Sequence, residues 1–132
     1  MGRRVLIDTS VFIAVERGTD IPLEEVGQAA VSVVTIAELE VGVLAAVDAD
    51  VRAKRLGTLT RALSLATPLP VDSAVAAAFS RLAAARIAAR ERVDANDTWI
   101  AATAIVHGSE VWTRDRDFER FEGLSVRVFG SI

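Results

Sequence analysis

The sequence contains no cysteine and only one histidine, His107. Without cysteine the chain can form neither a disulfide framework nor a thiolate metal site, and one histidine is too few for a structural zinc site. Only three apolar residues lie between Arg4 and Asp8, which is too short for the core of a signal peptide. No apolar run approaches the length of a membrane span. We therefore expect a cytoplasmic protein with no membrane segment.

Lysine is almost absent, since Lys54 is the only lysine among fifteen basic residues. Arginine suits bidentate contacts with phosphate, but it equally suits salt bridges. Seven of the arginines form two groups in the sequence. The first group is Arg81, Arg86, Arg90 and Arg92, and the second is Arg114, Arg116 and Arg120. The net charge of −3 argues against a nucleic-acid partner, yet the rest of the chain carries +1 once four acids are assigned to one metal site. Phosphate binding and a charged helix face both stay open.

The length and composition are those of one globular domain spanning residues 1–132, with 52% hydrophobic and 25% charged residues. Short β-branched segments alternate with helical patterns along the chain. The predicted strands are 4–7, 31–34, 69–71, 110–113 and 126–129, and the predicted helices are 11–16, 35–44, 49–66, 73–90 and 98–106. This alternation predicts an α/β fold with a parallel sheet flanked by helices.

Four acidic residues stand where an apolar stretch gives way to a turn or a helix start: Asp8, Glu38, Asp97 and Asp115. The carboxyl ends of parallel strands meet at one edge of a sheet, so acids placed beyond them can share a single crevice. Clustered carboxylates repel one another unless a cation compensates their charge. Magnesium and manganese prefer oxygen ligands, which makes a divalent metal the simplest explanation.

Two of these acids have a structural alternative at a helix start. Asp8 could cap the first helix, although Thr9 or Ser10 could do so equally well. Glu38 could close a capping box that begins at Thr35, because the two residues are three positions apart. Neither residue identifies a site by itself.

The other two acids have alternatives as well. Asp97 lies in a first helical turn, where the helix dipole favours any carboxylate, and Asp94 or Asn96 could cap that helix. Asp115 and Asp117 follow a strand, where ordinary turn chemistry accounts for either of them. The joint arrangement of the four acids, not any single one, indicates an acidic metal-binding crevice.

Other conspicuous side chains are expected outside the chemistry. His107 is predicted at a helix C-terminus, where a partial positive charge is stabilising. Trp99 and Trp112 lie in apolar segments, so we expect them to pack in the core rather than stack on bases. No protein base or covalent nucleophile is evident, which leaves a metal ion to activate water.

Four segments resemble the motifs of PIN-domain ribonucleases, and most closely those of VapC toxins from bacterial toxin–antitoxin pairs. The segments are VLIDTSVFIAV, TIAELEVGV, NDTWIAATAIVHG and VWTRDRDFERFEG. The resemblance covers almost the whole chain in order and spacing. It implies a PIN-like three-layer α/β/α sandwich around a central parallel sheet.

The resemblance also implies roles for individual residues. Asp8, Glu38, Asp97 and Asp115 match the family's four acids, which would hold one or two magnesium or manganese ions for hydrolysis of RNA. Asp117 matches an accessory acid of some members. Thr9, Ser10 and Thr113 match polar neighbours that orient ligands or water.

The resemblance further implies a homodimer and a VapB-type antitoxin, in a heterotetramer or larger assembly. Leu39, Val43 and Leu44 are then candidate antitoxin contacts. Two alternatives stay open at this point. One is a PIN-like housekeeping nuclease or a non-cutting RNA-binding relative without an antitoxin. The other is a receiver-type signalling domain, which would need a lysine at a strand end, whereas Lys54 falls in a predicted helix.

Overall fold

The computed structural model describes residues 4–130, which form five strands and five α-helices. The strands are β1 (Arg4–Ile7), β2 (Gln28–Ser32), β3 (Thr67–Leu69), β4 (Glu110–Thr113) and β5 (Val126–Val128). The α-helices are α1 (Thr9–Glu16), α2 (Val33–Ala45), α3 (Ala49–Leu65), α4 (Ser73–Ala88) and α5 (Ala95–Val106). Two 3-10 helices lie at Leu23–Glu25 and Arg116–Arg120. No helix within residues 4–130 combines the length and apolar character needed to cross a membrane.

The five strands form one parallel sheet in the order β3-β2-β1-β4-β5. The chain builds outward from β1 through β2 to β3, and then crosses back to place β4 and β5 on the other side of β1. The strand order therefore reverses between β1 and β4. In open α/β sheets, ligands bind beyond the carboxyl ends of the strands at such a reversal. The topology alone thus selects the region where Asp8 and Asp115 emerge.

Side chains of β1 alternate between two hydrophobic cores, as successive residues of a strand do. Val5 and Ile7 belong to the core that also contains buried residues of α1 and α3. Leu6 belongs to the second core, which contains buried residues of α4 and α5. Helices therefore cover both faces of the sheet. This arrangement confirms the three-layer α/β/α sandwich with a central parallel sheet.

The boundary between β2 and α2 differs from the sequence expectation. The strand ends at Ser32, whose side chain accepts a hydrogen bond from the backbone N–H of Val34 at 3.0 Å. Ser32 is therefore the N-cap of α2, and the predicted capping box of Thr35 and Glu38 is wrong. The β-branched valines at this point favour a strand locally, but the cap and tertiary packing place them in the helix.

Other boundaries shift by a few residues for similar reasons. Helix α1 begins at Thr9, one residue after the strand ends, and α5 begins at Ala95 because Asp94 caps it. Strand β3 covers Thr67–Leu69, so Pro68 lies within a strand instead of only ending a helix. Because β3 is the edge of the sheet, proline can occupy it without breaking an inner ladder.

Three helices end with the same backbone motif, but only two of them place glycine at the left-handed position. Gly18 after α1 and Gly108 after α5 have φ values of 98° and 61°. After α4 that position is taken by Arg90, with φ of 59°. The next backbone N–H, from Glu91, donates to the carbonyl of Arg86 at 2.9 Å, which completes a Schellman motif. A side chain at this position carries a backbone cost that glycine avoids.

We expect Arg90→Gly to raise the free energy of unfolding by about 0.5–1 kcal/mol. Glycine removes the strain of a side chain in the left-handed region. The greater freedom of glycine in the unfolded state cancels only part of this gain. The matched change Gly108→Ala should lower it by about 1 kcal/mol through the same conformational term. Apart from the chain neighbours, no heavy atom lies within 4 Å of the added Cβ at Gly108, so a clash with another part of the protein does not contribute. Urea unfolding with unchanged m-values measures both effects. A destabilised Arg90→Gly variant would contradict this explanation.

Candidate metal centre

Asp8 directly follows the central strand, and only 3% of its surface is exposed. It occupies the N-cap position of α1, but its side chain makes no capping hydrogen bond. The alternative of a capping role for Asp8 is therefore wrong, and its carboxylate serves other contacts. Burial raises the pKa of Asp8, while hydrogen bonds from Ser10 and Thr113 oppose that rise.

Two hydroxyl groups hold the Asp8 carboxylate in place. Ser10 Oγ donates to Asp8 Oδ2 at 2.6 Å, and Thr113 Oγ1 donates to the same oxygen at 2.8 Å. The same two hydroxyls accept hydrogen bonds from the backbone N–H groups of Arg114 and Asp115, each at 3.0 Å. The segment after β4 is thereby tied to the end of β1. Ser10 and Thr113 thus orient the carboxylate of Asp8.

Glu38 lies in the second turn of α2 and is held at both oxygens. Thr9 Oγ1 donates to Glu38 Oε1 at 2.6 Å, and Asn96 Nδ2 donates to Oε2 at 3.1 Å. The hydroxyls of Thr9 and the fully buried Thr35 are themselves hydrogen bonded at 2.9 Å. Glu38 therefore connects α2 with the first turns of α1 and α5, instead of capping its own helix.

Asp97 lies in the first turn of α5 and is partly buried. Burial is the largest cause that raises the pKa of Asp97 to about 7, followed by the negative charges of Asp8, Asp94, Asp115 and Glu38. This coupling requires that the carboxylates lie near one another. The structure thus brings together all four acids that the sequence singles out, from four separate segments of the chain.

Asp115 is exposed and has a structural contact of its own. Its Oδ1 accepts a hydrogen bond from the backbone N–H of Asp117 at 2.9 Å, so it caps the 3-10 helix Arg116–Arg120. The turn interpretation of Asp115 is correct to this extent. Asp115 nevertheless lines the same cavity as Asp97, so capping and participation in a site are compatible.

Asp94 and Asp117 also line this cavity, but both are engaged elsewhere. Asp94 Oδ1 accepts a hydrogen bond from the backbone N–H of Asp97 at 3.0 Å and caps α5. Asp117 pairs with Arg86 at 3.0 Å and with Arg120 at 3.6 Å. These contacts favour a structural role for each residue over a place beside a metal ion.

The cavity beside the acids has a volume of about 310 Å³ and is lined by both signs of charge. Its basic residues are Arg86, Arg92 and Arg120. The side chains of Arg92 and Arg120 are 88% and 63% exposed, so they are accessible to a ligand that enters from solvent. Carboxylates facing exposed guanidinium groups form a suitable environment for a phosphate ester together with a cation.

The donors in this region suit a hard divalent cation, because all of them are carboxylate or hydroxyl oxygens. Within residues 4–130, no group of three His, Cys, Asp or Glu side chains lies in an arrangement that could hold a metal ion. Magnesium usually keeps several waters and takes only one or two protein carboxylates directly, so a partly hydrated ion does not require a group of three. A nearby cation would also favour the ionised form of Asp97.

The conspicuous aromatic and histidine residues lie outside the acidic cluster. Trp112 is buried in the core, at 6% exposure, as predicted. Trp99 stacks on Phe79 with ring centroids 3.9 Å apart and packs against the core under α4 and α5. His107 is the C-cap of α5, as its sequence position indicates. Of the candidate antitoxin contacts, Leu39 is buried in the core at 7% exposure and is therefore not a surface residue.

The sequence pattern does not identify two residues near the acids. Asn96 is predicted only as a possible helix cap, and no local signal places it beside Glu38, 58 positions away. Arg86 is predicted as one of a group of surface arginines, yet it is only 4% exposed. A signal for its burial does exist, because Arg86 continues the apolar stripe of α4 at helical spacing. That stripe consists of Val75, Ala78 and Leu82.

In metal-free protein, we expect Asp97→Asn to raise the free energy of unfolding at pH 8. The folded state holds the pKa of Asp97 at about 7, above the ordinary value of 3.8. Native stability is therefore lost as pH rises from about 4 to about 7, and a neutral amide avoids this loss. Because Asp97 is only partly buried, solvent screening reduces the expected gain to about 1–2 kcal/mol.

The gain should shrink as the pH is lowered from 7 towards 4, where the wild-type carboxyl is protonated. Urea unfolding in EDTA at pH 8 and pH 5 measures it. The exposed Asp20 lies outside the acidic cluster, so Asp20→Asn is the matched control and should show no such pH dependence. A gain that is equal at both pH values would contradict the electrostatic explanation.

Comparison with known proteins places this geometry in a family. The model of the PIN domain matches residues 5–124. The chain is 42% identical to Ribonuclease VapC4 of Mycobacterium tuberculosis, over 94% of this chain and 95% of the relative. It is 44% identical to Ribonuclease VapC5 of the same organism, over 91% and 89% of the two chains.

A solved structure agrees in fold as well as in sequence. It is the crystal structure of a member of the VapBC family of toxin–antitoxin systems, VapBC-5 from Mycobacterium tuberculosis, which matches with a TM-score of 0.80. The identity is 39%, and the match covers 98% of each chain. The acidic cluster at the reversal of a parallel sheet, the family model and these relatives agree: the chain belongs to the PIN-domain family, in its group of VapC ribonucleases.

Proposed function

We propose that this chain is a magnesium- or manganese-dependent endoribonuclease that acts as the toxin of a toxin–antitoxin pair. The observation that carries the proposal is the convergence of four carboxylates at the carboxyl edge of the sheet. There, burial and mutual repulsion raise the pKa of Asp97 to about 7. A cluster of this kind is relieved by a cation, and the oxygen donors present suit magnesium or manganese.

We assign Asp8, Asp97 and Asp115 as the carboxylates that would hold one or two ions. Glu38 would act through water, because both of its oxygens already accept hydrogen bonds from protein groups. When bound, the metal would activate water and offset charge at the phosphate. Ser10 donates to Asp8 Oδ2 and would hold the carboxylate in one orientation.

RNA fits the charge distribution around this site. Arg92 and Arg120 are exposed and line the cavity beside the acids, where they can bind phosphates that flank the cleaved bond. Arginine binds phosphate oxygens in pairs and stabilises the negative charge that develops on the reacting group. The local arginines thus explain how an acidic chain can bind a polyanion.

The partner that we propose is a VapB-type antitoxin. The related VapBC-5 protein is a member of a family of toxin–antitoxin systems, and the present chain matches a chain of its crystal structure almost from end to end. We further propose a homodimer that joins the antitoxin in a heterotetramer or larger complex, and a cytoplasmic location. Leu44 is 74% exposed on α2 and is available for such a contact. A single domain spanning the whole chain is part of the same proposal.

The receiver-type alternative lacks support from the structure. Its essential lysine would stand at a strand end, whereas Lys54 is exposed in the second turn of α3. The PIN family match over residues 5–124 points to a different fold family. The remaining alternatives are a housekeeping nuclease of the same family, which cell growth can distinguish, and a non-cutting RNA-binding relative, which an RNA cleavage assay can distinguish.

We expect Asp8→Asn and Asp97→Asn to lower RNA cleavage by at least about 100-fold, because a catalytic metal supplies several kcal/mol of transition-state stabilisation. Each asparagine has nearly the volume of the aspartate it replaces, so both variants should stay folded. A fluorescent single-stranded RNA with Mg²⁺ or Mn²⁺ provides the assay, and EDTA should stop the wild-type reaction. Asp20→Asn should cleave normally. Full activity in either site variant would contradict the assignment of that residue to the metal site.

Expression of the wild-type chain in a bacterial host should arrest growth, whereas folded Asp8→Asn should not. Co-expression of the protein encoded by a short reading frame directly upstream of the gene should restore growth. Growth curves and viable counts after induction measure both effects. If the wild type cleaves RNA in vitro but is tolerated at the same cellular level, the housekeeping alternative is correct.

A further inference from the structure

Arg86 and Asp8 are the only buried ionisable side chains among residues 4–130. Asp8 is accounted for by the acidic cluster, but Arg86 belongs to no part of the proposed chemistry. Burying a guanidinium group is costly unless its charge and its donors are matched. The contacts of Arg86 therefore indicate what the residue does.

Arg86 joins two segments that carry acids of the site. Its Nη1 donates to Asp117 Oδ2 at 3.0 Å, and its Nη2 donates to the Asp117 carbonyl at 3.0 Å. Nη1 also donates to the carbonyl of Arg92 at 3.2 Å. The guanidinium carbon lies 4.1 Å from the centre of the Phe121 ring, which adds a cation–π contact. The side chain is thus fixed from several directions.

The first segment leads from Arg86 to Asp115 and Asp8. The backbone N–H of Asp117, the residue that Arg86 holds, donates to Asp115 Oδ1 at 2.9 Å. The backbone N–H of Asp115 donates to Thr113 Oγ1 at 3.0 Å, and this hydroxyl donates to Asp8 Oδ2 at 2.8 Å. A continuous series of contacts therefore connects the two buried charges.

The second segment leads from Arg86 to Asp97. Arg92 lies in the connection between α4 and α5, and two residues later Asp94 caps α5 through the backbone N–H of Asp97 at 3.0 Å. By holding the Arg92 carbonyl, Arg86 restrains the approach to that cap. From its place on α4, Arg86 thus contacts both segments directly.

We propose that Arg86 is a positioning residue that sets the separation of Asp97 and Asp115 and so tunes the affinity of the metal site. This inference rests on the proposed metal site. Arg86 does not contact RNA, because its side chain is 5% exposed and its terminal nitrogens are bound to protein oxygens. Its influence passes through Asp117 and the backbone of the two segments.

The test compares Arg86→Lys with Arg81→Lys on the same helix. Lysine keeps the charge but cannot reproduce the forked contacts, whereas Arg81 is exposed and serves as the matched control. Three quantities are measured without any cleavage: amide exchange in metal-free protein, the Kd for Mn²⁺ by electron paramagnetic resonance, and the Kd for an RNA oligonucleotide in EDTA.

For Arg86→Lys we expect the Kd for Mn²⁺ to rise by about 10-fold or more, as it does when groups that orient metal ligands are altered. Amide exchange should accelerate at Asp97 and at residues 115–117, and the Kd for RNA should stay within about twofold of the wild type. Arg81→Lys should leave all three unchanged. If Arg86→Lys does not fold, Asp117→Asn should show the same shifts to a smaller extent, because the backbone contacts of Arg86 persist.

Faster exchange with an unchanged Kd for Mn²⁺ would overturn the proposal, since Arg86 would then serve only the fold. Weaker RNA binding with an unchanged Kd for Mn²⁺ would also overturn it, by making Arg86 a substrate contact. A wild-type protein that binds Mn²⁺ but leaves RNA intact would refute the proposed nuclease function alone. A wild-type protein that binds no Mn²⁺ would refute the tuning of a metal site together with the site itself.

Discussion

The structure depends on one constraint, which is the burial of the Asp8 carboxylate at the end of the central strand. A carboxylate in this position loses hydration, and the negative charge of Glu38 adds to the unfavourable electrostatics. Hydroxyl donors from Ser10 and Thr113 compensate part of this cost. They also attach β4 to β1 at the place where the strand order reverses, so the same contacts serve the fold and the site.

These hydrogen bonds compensate only part of the electrostatic cost, and the pKa of Asp97 is affected as well. Burial, followed by the negative charges of neighbouring acids, raises the pKa of Asp97 to about 7. Arg86 carries the only buried positive charge within residues 4–130, but its terminal nitrogens face Asp117 and two backbone carbonyls. Arg86 therefore holds the segments that carry the acids but does not neutralise the four carboxylates, which stay available to a cation.

Local signals in the sequence predict much of the fold. Asp48 and Asp72 cap α3 and α4, because each side chain accepts a hydrogen bond from a backbone N–H of its own helix. Strand β4 has the predicted bounds, Glu110–Thr113. The boundary of α2 escapes prediction because Ser32 decides it against the strand preference of two valines.

The sequence predicts which acids belong to the site, but it does not predict the contacts that hold them. The acids can be selected because each follows a recognisable change of pattern, and the family resemblance gives their order. The sequence does not reveal that Asp8 is free of capping, that Asn96 holds Glu38 or that Arg86 holds Asp117. These contacts join residues that are far apart in sequence, so they depend on the packing of whole elements.

The most direct test of the metal site is a titration of the Asp97 carboxyl carbon by NMR, in metal-free protein and again with saturating Mg²⁺. We expect a midpoint near the pKa of about 7 without metal, and a fall of at least about one pH unit when Mg²⁺ is present. A midpoint near the ordinary pKa of 3.8, or one that Mg²⁺ leaves unchanged, would contradict the claim that these four carboxylates form a metal site.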